Sequence, residues 1–108
     1  MEMRNQVAEN LENYFEMVKR RYLDYMHRMG YEKQIRDKEL KLNMSKGKRY
    51  AKVNIGGSVH SFVDLNNGNV YKAASWRAPA KHARGNVLSK EHGEEAIDKR
   101  GYHIFYMR

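Results

Sequence analysis

The sequence predicts an α+β domain in which a long N-terminal amphipathic helix packs on a three- to four-stranded antiparallel sheet. Three observations lead to this prediction: a helical repeat of apolar residues near the N-terminus, alternating strand-like segments after residue 47, and Gly- and Asn-rich breaks between them. A chain of 108 residues is one domain by length. We divide it into a long helix over residues 1–30, a connector over 31–46 and the sheet over 47–108, with a basic loop at 75–90.

The predicted helix covers about residues 3–29, because its apolar and aromatic residues recur at intervals of three and four, as one helix face requires. This stripe comprises Val7, Leu11, Tyr14, Phe15, Val18, Tyr22, Tyr25, Met26 and Met29. Gly30 supplies the residue type that commonly follows a helix C-terminus. The stripe is expected to cover the sheet, and the length of the helix leaves open a homodimer in which it pairs with a second copy.

The predicted sheet is an antiparallel meander whose strand segments read KRYAKVNI, SVHSFVD and NVYKAA. Tight reversals are expected at Gly56-Gly57 and at Asn67-Gly68, where a two-residue type I′ turn suits the Asn-Gly pair. That turn would pair Leu65 with Val70, Val63 with Lys72, Phe62 with Ala73, and Asp64 with Tyr71. The final segment, GYHIFYMR, is expected to join the same sheet, after a short capped helix or loop in SKEHGEEAIDKR.

The net charge of +8 is concentrated in the middle of the chain. Residues 1–39 carry eight acids and eight bases, and residues 91–108 carry four acids and three bases, whereas residues 40–90 carry ten bases and the single acid Asp64. Such a segment attracts phosphate backbones or acidic protein surfaces over about 8–10 Å at ordinary salt. A solvated basic face that only maintains solubility is an equally weighted alternative.

The segment at residues 71–86, YKAASWRAPAKHARGN, contains the only Trp and Pro, four cationic side chains and no acid. It predicts a surface that binds the phosphates of DNA or RNA, or the acidic or nucleic-acid-binding surface of a host protein complex. The candidate binding residues are Lys48, Arg49, Lys72, Trp76, Arg77, Lys81, His82 and Arg84.

Two arrangements of Trp76 are open. An exposed indole would stack on a base, whereas a buried one would close the end of the core; with only three Phe in the chain, we favour burial of most of the ring. Pro79 would then begin a helical turn over PAKHAR. If this segment is helical, Arg77, Lys81 and Arg84 share one face at spacings of four and three.

No catalytic, metal-binding or cofactor-binding residue is predicted, and the protein is expected not to be an enzyme. Its five histidines lack the close pairing or the Cys partners of a zinc site, and no cysteine is present. The least favoured alternative is a metal-independent ribonuclease, in which His60 and His82, with Lys81, cleave RNA by paired acid–base catalysis.

Residues 58–86 carry the pattern S-V-x-x-F-V-D, then G-x-V-Y-K-x-A-x-W-x-A-P-A-K-x-x-R-G-N after a turn. This pattern resembles a small domain of uncharacterised bacteriophage proteins. The resemblance implies a phage origin and an action on nucleic acid or on host defence complexes, including CRISPR nucleases, and it implies no catalytic residues. The long N-terminal helix lies outside the pattern.

Two function classes follow from these observations. The first is a non-enzymatic, phage-type accessory protein that binds nucleic acid, or a nucleoprotein complex, through its basic surface. The second is an anti-CRISPR-type inhibitor that contacts a host nuclease complex. The chain has no stretch of eighteen apolar residues, and its lack of Cys suits a reducing compartment, so we expect a cytoplasmic protein, in the host cell if phage-encoded.

Overall fold

A computed structural model of the protein describes residues 2–30, 42–99 and 101–104. Helix α1 spans Glu2–Arg28. Five strands follow: β1 Leu42–Lys46, β2 Tyr50–Ile55, β3 Ser58–Asp64, β4 Asn69–Ala73 and β5 Pro79–Asn86. A short 3₁₀ helix covers Glu94–Ala96. The predicted α+β class, with one long helix on an antiparallel sheet, is confirmed, and the sheet has five strands rather than three or four.

The strands form a single meander in the order β1-β2-β3-β4-β5, with every neighbouring pair antiparallel. β1 occupies the end of the segment predicted as a connector, of which residues 31–41 lie outside the described part. It forms because Leu42 and Met44 alternate and pack against the core. β5 runs through the predicted basic loop, and Pro79 is tolerated there since an edge strand need not use every backbone N–H.

The β3–β4 hairpin is paired two residues away from the predicted register. Phe62 pairs with Tyr71 and Val63 with Val70, and the connection is longer than a two-residue turn. The backbone N–H of Gly68 donates to the Asp64 carbonyl over 2.7 Å, and Gly68 alone in this turn has a positive φ, of 84°. A type I′ turn needs two positive φ angles, so the predicted two-residue type I′ turn at Asn67-Gly68 is wrong.

The core lies between α1 and one face of the sheet, which we call the inner face. Its buried residues are Val7, Leu11, Tyr14, Met17, Val18, Ala51, Val53, Ile55, Val63, Leu65, Val70, Val87, Ala96, Ile97 and Ile104. Most of the predicted helix stripe is therefore in place, although Met29 is exposed. Because strand side chains alternate, the intervening residues point to the other side of the sheet, which we call the outer face.

The C-terminal half of α1 packs on the chain's own C-terminal segment. Tyr22 and Tyr25 contact the ring of Tyr102 edge-on, with centroids 4.6 and 5.0 Å apart. The guanidinium of Arg21 donates to the carbonyls of Asp98 and Gly101. In this segment Ile97 and Ile104 form an isolated antiparallel bridge outside the sheet, and the rest of the predicted final strand, residues 105–108, lies outside the described part. Across the described ranges, no helix has the length and apolar character needed to span a membrane.

A tight turn beside α1 brings backbone against Tyr14. His92 and Gly93 both have positive φ angles, of 56° and 92°. A Cβ atom placed on Gly93 would lie 2.7 Å from Cδ1 of Tyr14, closer than real Cβ contacts allow. Only glycine therefore fits at position 93 while the Tyr14 ring keeps its place.

Candidate functional site

The outer face carries a row of side chains that crosses the whole sheet. The pairings Ser45 with Lys52, Lys52 with Phe62, Phe62 with Tyr71 and Tyr71 with Ala83 place one member of this row on each strand. Tyr50 extends the aromatic part, because its ring meets Phe62 and Tyr71 edge-on at centroid distances of 5.8 and 6.2 Å. Aromatic rings and a cation thus occupy the centre of the face opposite α1.

A groove of about 370 Å³ lies on this face, and we call it the outer groove. Its floor includes Tyr50 and Phe62, and Ser45 and Gly47 complete part of its rim. The basic side chains that line it are Lys46, Lys48, Arg49, Lys52 and Arg77. No carboxylate lines it among the described residues, so the groove is electropositive along its length.

One acid lies beneath the outer groove. Asp64 is 1% exposed, and its Oδ2 accepts a hydrogen bond from Nε of Arg49 over 3.3 Å. Its Oδ1 accepts from the backbone N–H of Asn66, which fixes the β3–β4 turn. This pairing offsets one cation only: Lys46, Lys48 and Arg77 make no ion pair within the described residues.

Lys52 connects the outer face to the β4–β5 loop. Its Nζ donates to the carbonyl of Trp76 over 2.8 Å and lies 5.2 Å from the Trp76 ring centroid and 5.6 Å from that of Phe62. Because β3 and β4 separate β2 from this loop, the contact requires residues 74–78 to fold back across the outer face. This fold-back brings Arg77 into the outer groove.

The favoured prediction that Trp76 is mostly buried is wrong, since 56% of the residue is exposed. The core it was expected to close is filled from the other side of the sheet by Val87, Ile97 and Ile104. The indole instead lies on the outer side, where it makes a cation–π contact with Lys52. Because it is exposed, the ring has surface on which a planar group such as a base can stack.

The structure divides the predicted binding residues among different surfaces. Lys48, Arg49 and Arg77 line the outer groove, with Trp76 beside it. Lys72 pairs with Ser61, whose hydroxyl is bonded to Tyr14 of α1, and Lys72 therefore belongs to the inner side. The remaining three, Lys81, His82 and Arg84, lie on the edge strand β5.

The helical arrangement considered for Arg77, Lys81 and Arg84 is also wrong. Lys81 and Arg84 belong to an extended strand that pairs with β4 through two register shifts, and Arg77 precedes it in the loop. The extended strand and the preceding loop do not give the three cations the common helix face on which the predicted cradle depended. The guanidinium of Arg84 instead donates to the carbonyl of His82.

His60 is held in a buried hydrogen-bond chain on the inner side. Its Nε2 lies 2.5 Å from the carbonyl of Tyr102, which can only accept, so Nε2 carries the proton. Its Nδ1 then accepts from the hydroxyl of Ser61 over 2.9 Å, and that oxygen accepts from the hydroxyl of Tyr14 over 2.8 Å. The chain ties β3 to α1 and to the C-terminal segment.

This environment keeps His60 neutral. The pKa of His60 is lowered to about 4: burial penalises the charged form, and the proximity of His103 and Lys72 lowers the pKa as well, against the raising effect of the Tyr102 carbonyl. Burial also raises the pKa of the Tyr14 hydroxyl far above its usual range. Both ring nitrogens of His60 are engaged, and His82 lies on β5, so no contact joins the two into an acid–base pair.

Metal ligands do not cluster in the described ranges: no three side chains of His, Asp or Glu there are close enough to hold an ion. The chain has no Cys.

Five residues of the outer groove and the outer face were not among the candidates derived from the sequence: Lys46, Tyr50, Lys52, Phe62 and Tyr71. Period-two alternation within KRYAKVNI already places Tyr50 and Lys52 on one side of a strand. The aromatic row was hidden by the predicted hairpin register, which paired Phe62 with Ala73 rather than with Tyr71.

Comparison with known families gives one result that covers nearly the whole chain. The profile of a family described as "Family of unknown function (DUF7717)" matches residues 1–107. The chain belongs to this family. DUF7717 membership thus includes α1 as well as the sheet. No curated protein and no solved structure has significant similarity to the chain.

Proposed function

We propose that this DUF7717 protein binds single-stranded nucleic acid, without catalysis, along the outer groove. The observation that carries the proposal concerns the described residues: five cations and no carboxylate line a groove on a sheet face whose floor consists of aromatic rings. Proteins that hold single strands without sequence readout combine a basic groove that follows the backbone with aromatic side chains on which bases stack.

The individual contacts support a role for the cations in binding phosphates and for the aromatic rings in contacting bases. Lys46, Lys48 and Arg77 lack ion pairs within the described residues, so they are available to phosphates without first breaking a bridge. Trp76 offers an exposed face for a base. Phe62 is 1% exposed and so serves as floor rather than as a stacking partner.

The resemblance of residues 58–86 to bacteriophage proteins supports a phage-type accessory role, and we assign the activity to the cytoplasm on the grounds of the cysteine-free composition. An anti-CRISPR-type inhibitor could use the same cations to contact a host nuclease complex. The two functions differ in one measurable respect, because an inhibitor of that kind needs no affinity for free nucleic acid.

The test compares two triple variants that remove the same charge. Lys46→Ala, Lys48→Ala and Arg77→Ala together should reduce the magnitude of the logarithmic salt slope for a short oligonucleotide by about 2, at about 0.7 per lost phosphate contact. The matched control combines Lys81→Ala, Lys90→Ala and Lys99→Ala, three exposed lysines outside the groove. Fluorescence anisotropy at several salt concentrations gives both slopes.

The control triple should retain most of the wild-type slope. Equal losses in the two triples would show that binding follows net charge rather than the outer groove, and the proposal would be wrong. A folded wild-type protein with no measurable affinity for DNA or RNA would also overturn it and would favour the inhibitor function.

Trp76→Ala should weaken binding by about 1–3 kcal/mol, the usual worth of one base stacked on an aromatic ring. The salt slope should stay unchanged because no cation is removed, and the melting temperature should change little because the ring is half-exposed. Duplex of the same sequence should bind more weakly than single strand, since its bases are not free to stack. Unchanged affinity in a folded Trp76→Ala variant would exclude stacking at this position.

A further inference from the structure

A second pocket lies on the inner side of the sheet, where the start of β3 and the end of β4 meet the C-terminal segment. It has a volume of about 180 Å³, and we call it the inner pocket. It is separate from the outer groove, with which it shares no lining residue among those described. Lys72, which sequence reasoning assigned to the nucleic-acid surface, lines this pocket instead.

Three polar side chains in the lining have unused hydrogen-bonding capacity. Ser58 begins β3, Lys72 lies on β4 and His103 lies in the C-terminal segment, so three separate parts of the chain contribute them. Within the described residues, none of these side chains makes a hydrogen bond or an ion pair. A lysine ammonium has three donors, a serine hydroxyl one and a neutral imidazole one.

The electrostatics of the inner pocket favour an anion. No carboxylate lines it in the described part of the chain, and the titratable groups that do are Lys72, His60, His103 and Tyr102. Lys72 and His103 both lie near enough to His60 to lower its pKa, and His60 stays neutral between Ser61 and Tyr102. A bound anion would offset the charge of Lys72, which makes no ion pair with any described residue.

Size and lining restrict the kind of anion. A volume of about 180 Å³ lies below the roughly 300–1,000 Å³ of sites for drug-sized ligands, which argues against a whole nucleotide. The apolar part of the lining comes from Ile55, Val59, Ala73 and Ile104. An anion with a short apolar body would bury that body against these side chains while its charged end meets Lys72.

We propose that the inner pocket binds a small organic anion, a carboxylate or a phosphate monoester, through Lys72, His103 and Ser58. His60 acts as a positioning residue: by donating to the Tyr102 carbonyl it fixes the backbone immediately before His103. The site does not depend on the outer groove, so it stands whether or not the protein binds nucleic acid.

The experiment titrates ¹⁵N-labelled protein with sodium acetate, sodium isobutyrate or inorganic phosphate, with sodium chloride holding the ionic strength constant. Saturable shifts of the backbone amide signals of Ser58, Ala73 and His103 are expected. Isobutyrate should bind more tightly than acetate because it adds apolar surface. A stronger response to phosphate than to isobutyrate would identify the ligand class as a phosphate monoester, and the reverse as a carboxylate.

Lys72→Met should weaken binding at least about tenfold, as expected for loss of a charge-assisted hydrogen bond. Lys90→Met, at an exposed position that lines neither the inner pocket nor the outer groove, is the matched control and should leave the titration unchanged. His103→Gln supplies a second variant if Lys72→Met does not fold. Shifts that fail to saturate, or that persist equally in the folded Lys72→Met and His103→Gln variants, would overturn the proposal.

Discussion

Leu11→Ala is expected to lower the free energy of unfolding by about 3 kcal/mol, within the range of roughly 2–5 kcal/mol for leucine truncation in a packed core. Leu11 is 1% exposed, in the middle of the stripe by which α1 covers the inner face. The cavity left behind would be bordered by helix on one side and by sheet on the other, and neither can collapse without moving the whole element. Chemical denaturation at neutral pH measures the change.

Two further variants serve as comparisons for the loss of stability in Leu11→Ala. Phe15→Ala should cost less than Leu11→Ala, because Phe15 is only partly buried at the edge of the core. Glu12→Ala, at an exposed position one residue from Leu11, should stay within about 0.5 kcal/mol of wild type. A Leu11→Ala protein as stable as Glu12→Ala would mean that α1 does not pack on the sheet in this way.

Acidification from pH 7 to pH 4.5 is expected to cost about 2 kcal/mol of stability through His60 alone. The pKa of His60 is about 4 in the folded protein and about 6.5 when unfolded, because burial disfavours the imidazolium. Above pH 6.5 both states are neutral and no cost arises. Between pH 6.5 and pH 4 only the unfolded chain binds the proton, so stability falls as the pH falls.

A second group acts in the same direction and must be separated from His60. Burial raises the pKa of Glu95, but hydrogen bonds from the Asn86 backbone, the Ser89 hydroxyl and the Gly93 backbone lower it more, so the net shift is downward. Protonation of Glu95 therefore also costs stability at low pH.

The contribution of the His60 imidazole is obtained by subtracting the pH dependence of stability of a His60→Gln variant from that of the wild type. His60→Gln should be less stable than wild type at pH 7, since it breaks the chain to Ser61, yet its stability should fall less between pH 7 and pH 4.5. His82→Gln, at an exposed strand position, is the matched control for replacing a histidine by glutamine outside this hydrogen-bond chain. Parallel pH profiles for wild type and His60→Gln would contradict the buried neutral imidazole.

The elements of the fold that sequence reasoning identified correctly are those with a long or repeated local signal. The stripe of α1 recurs from Val7 to Met26, more than five turns at 3.6 residues per turn, and the alternation in β2 and β3 marks buried positions such as Val53 and Val63. β1 was not predicted as a strand, because its five residues give only one repeat of alternation, Leu42 and Met44, next to a charged stretch.

The candidate site was only partly predictable, for a different reason. Charge counting located the basic segment, but which cations share a surface depends on strand register and on a loop that folds back. The two-residue error in the β3–β4 hairpin moved Lys72 from opposite Ser61 to opposite Val63, and it separated Phe62 from Tyr71. The composition favoured burial of Trp76, but composition does not show which residues fill the core, and in the structure Val87 and Ile97 do so.

The close approach of Gly93 to Tyr14 has an evolutionary consequence. The two positions are 79 residues apart, yet Gly93 cannot gain a side chain while Tyr14 keeps its place, because the added Cβ would meet the ring within 3 Å. Any such displacement of the ring would also move the phenol away from Ser61, whose hydroxyl bonds His60. The positive φ of Gly93 adds backbone strain to this clash, so among DUF7717 members Gly93 is expected to be retained wherever Tyr14 is present.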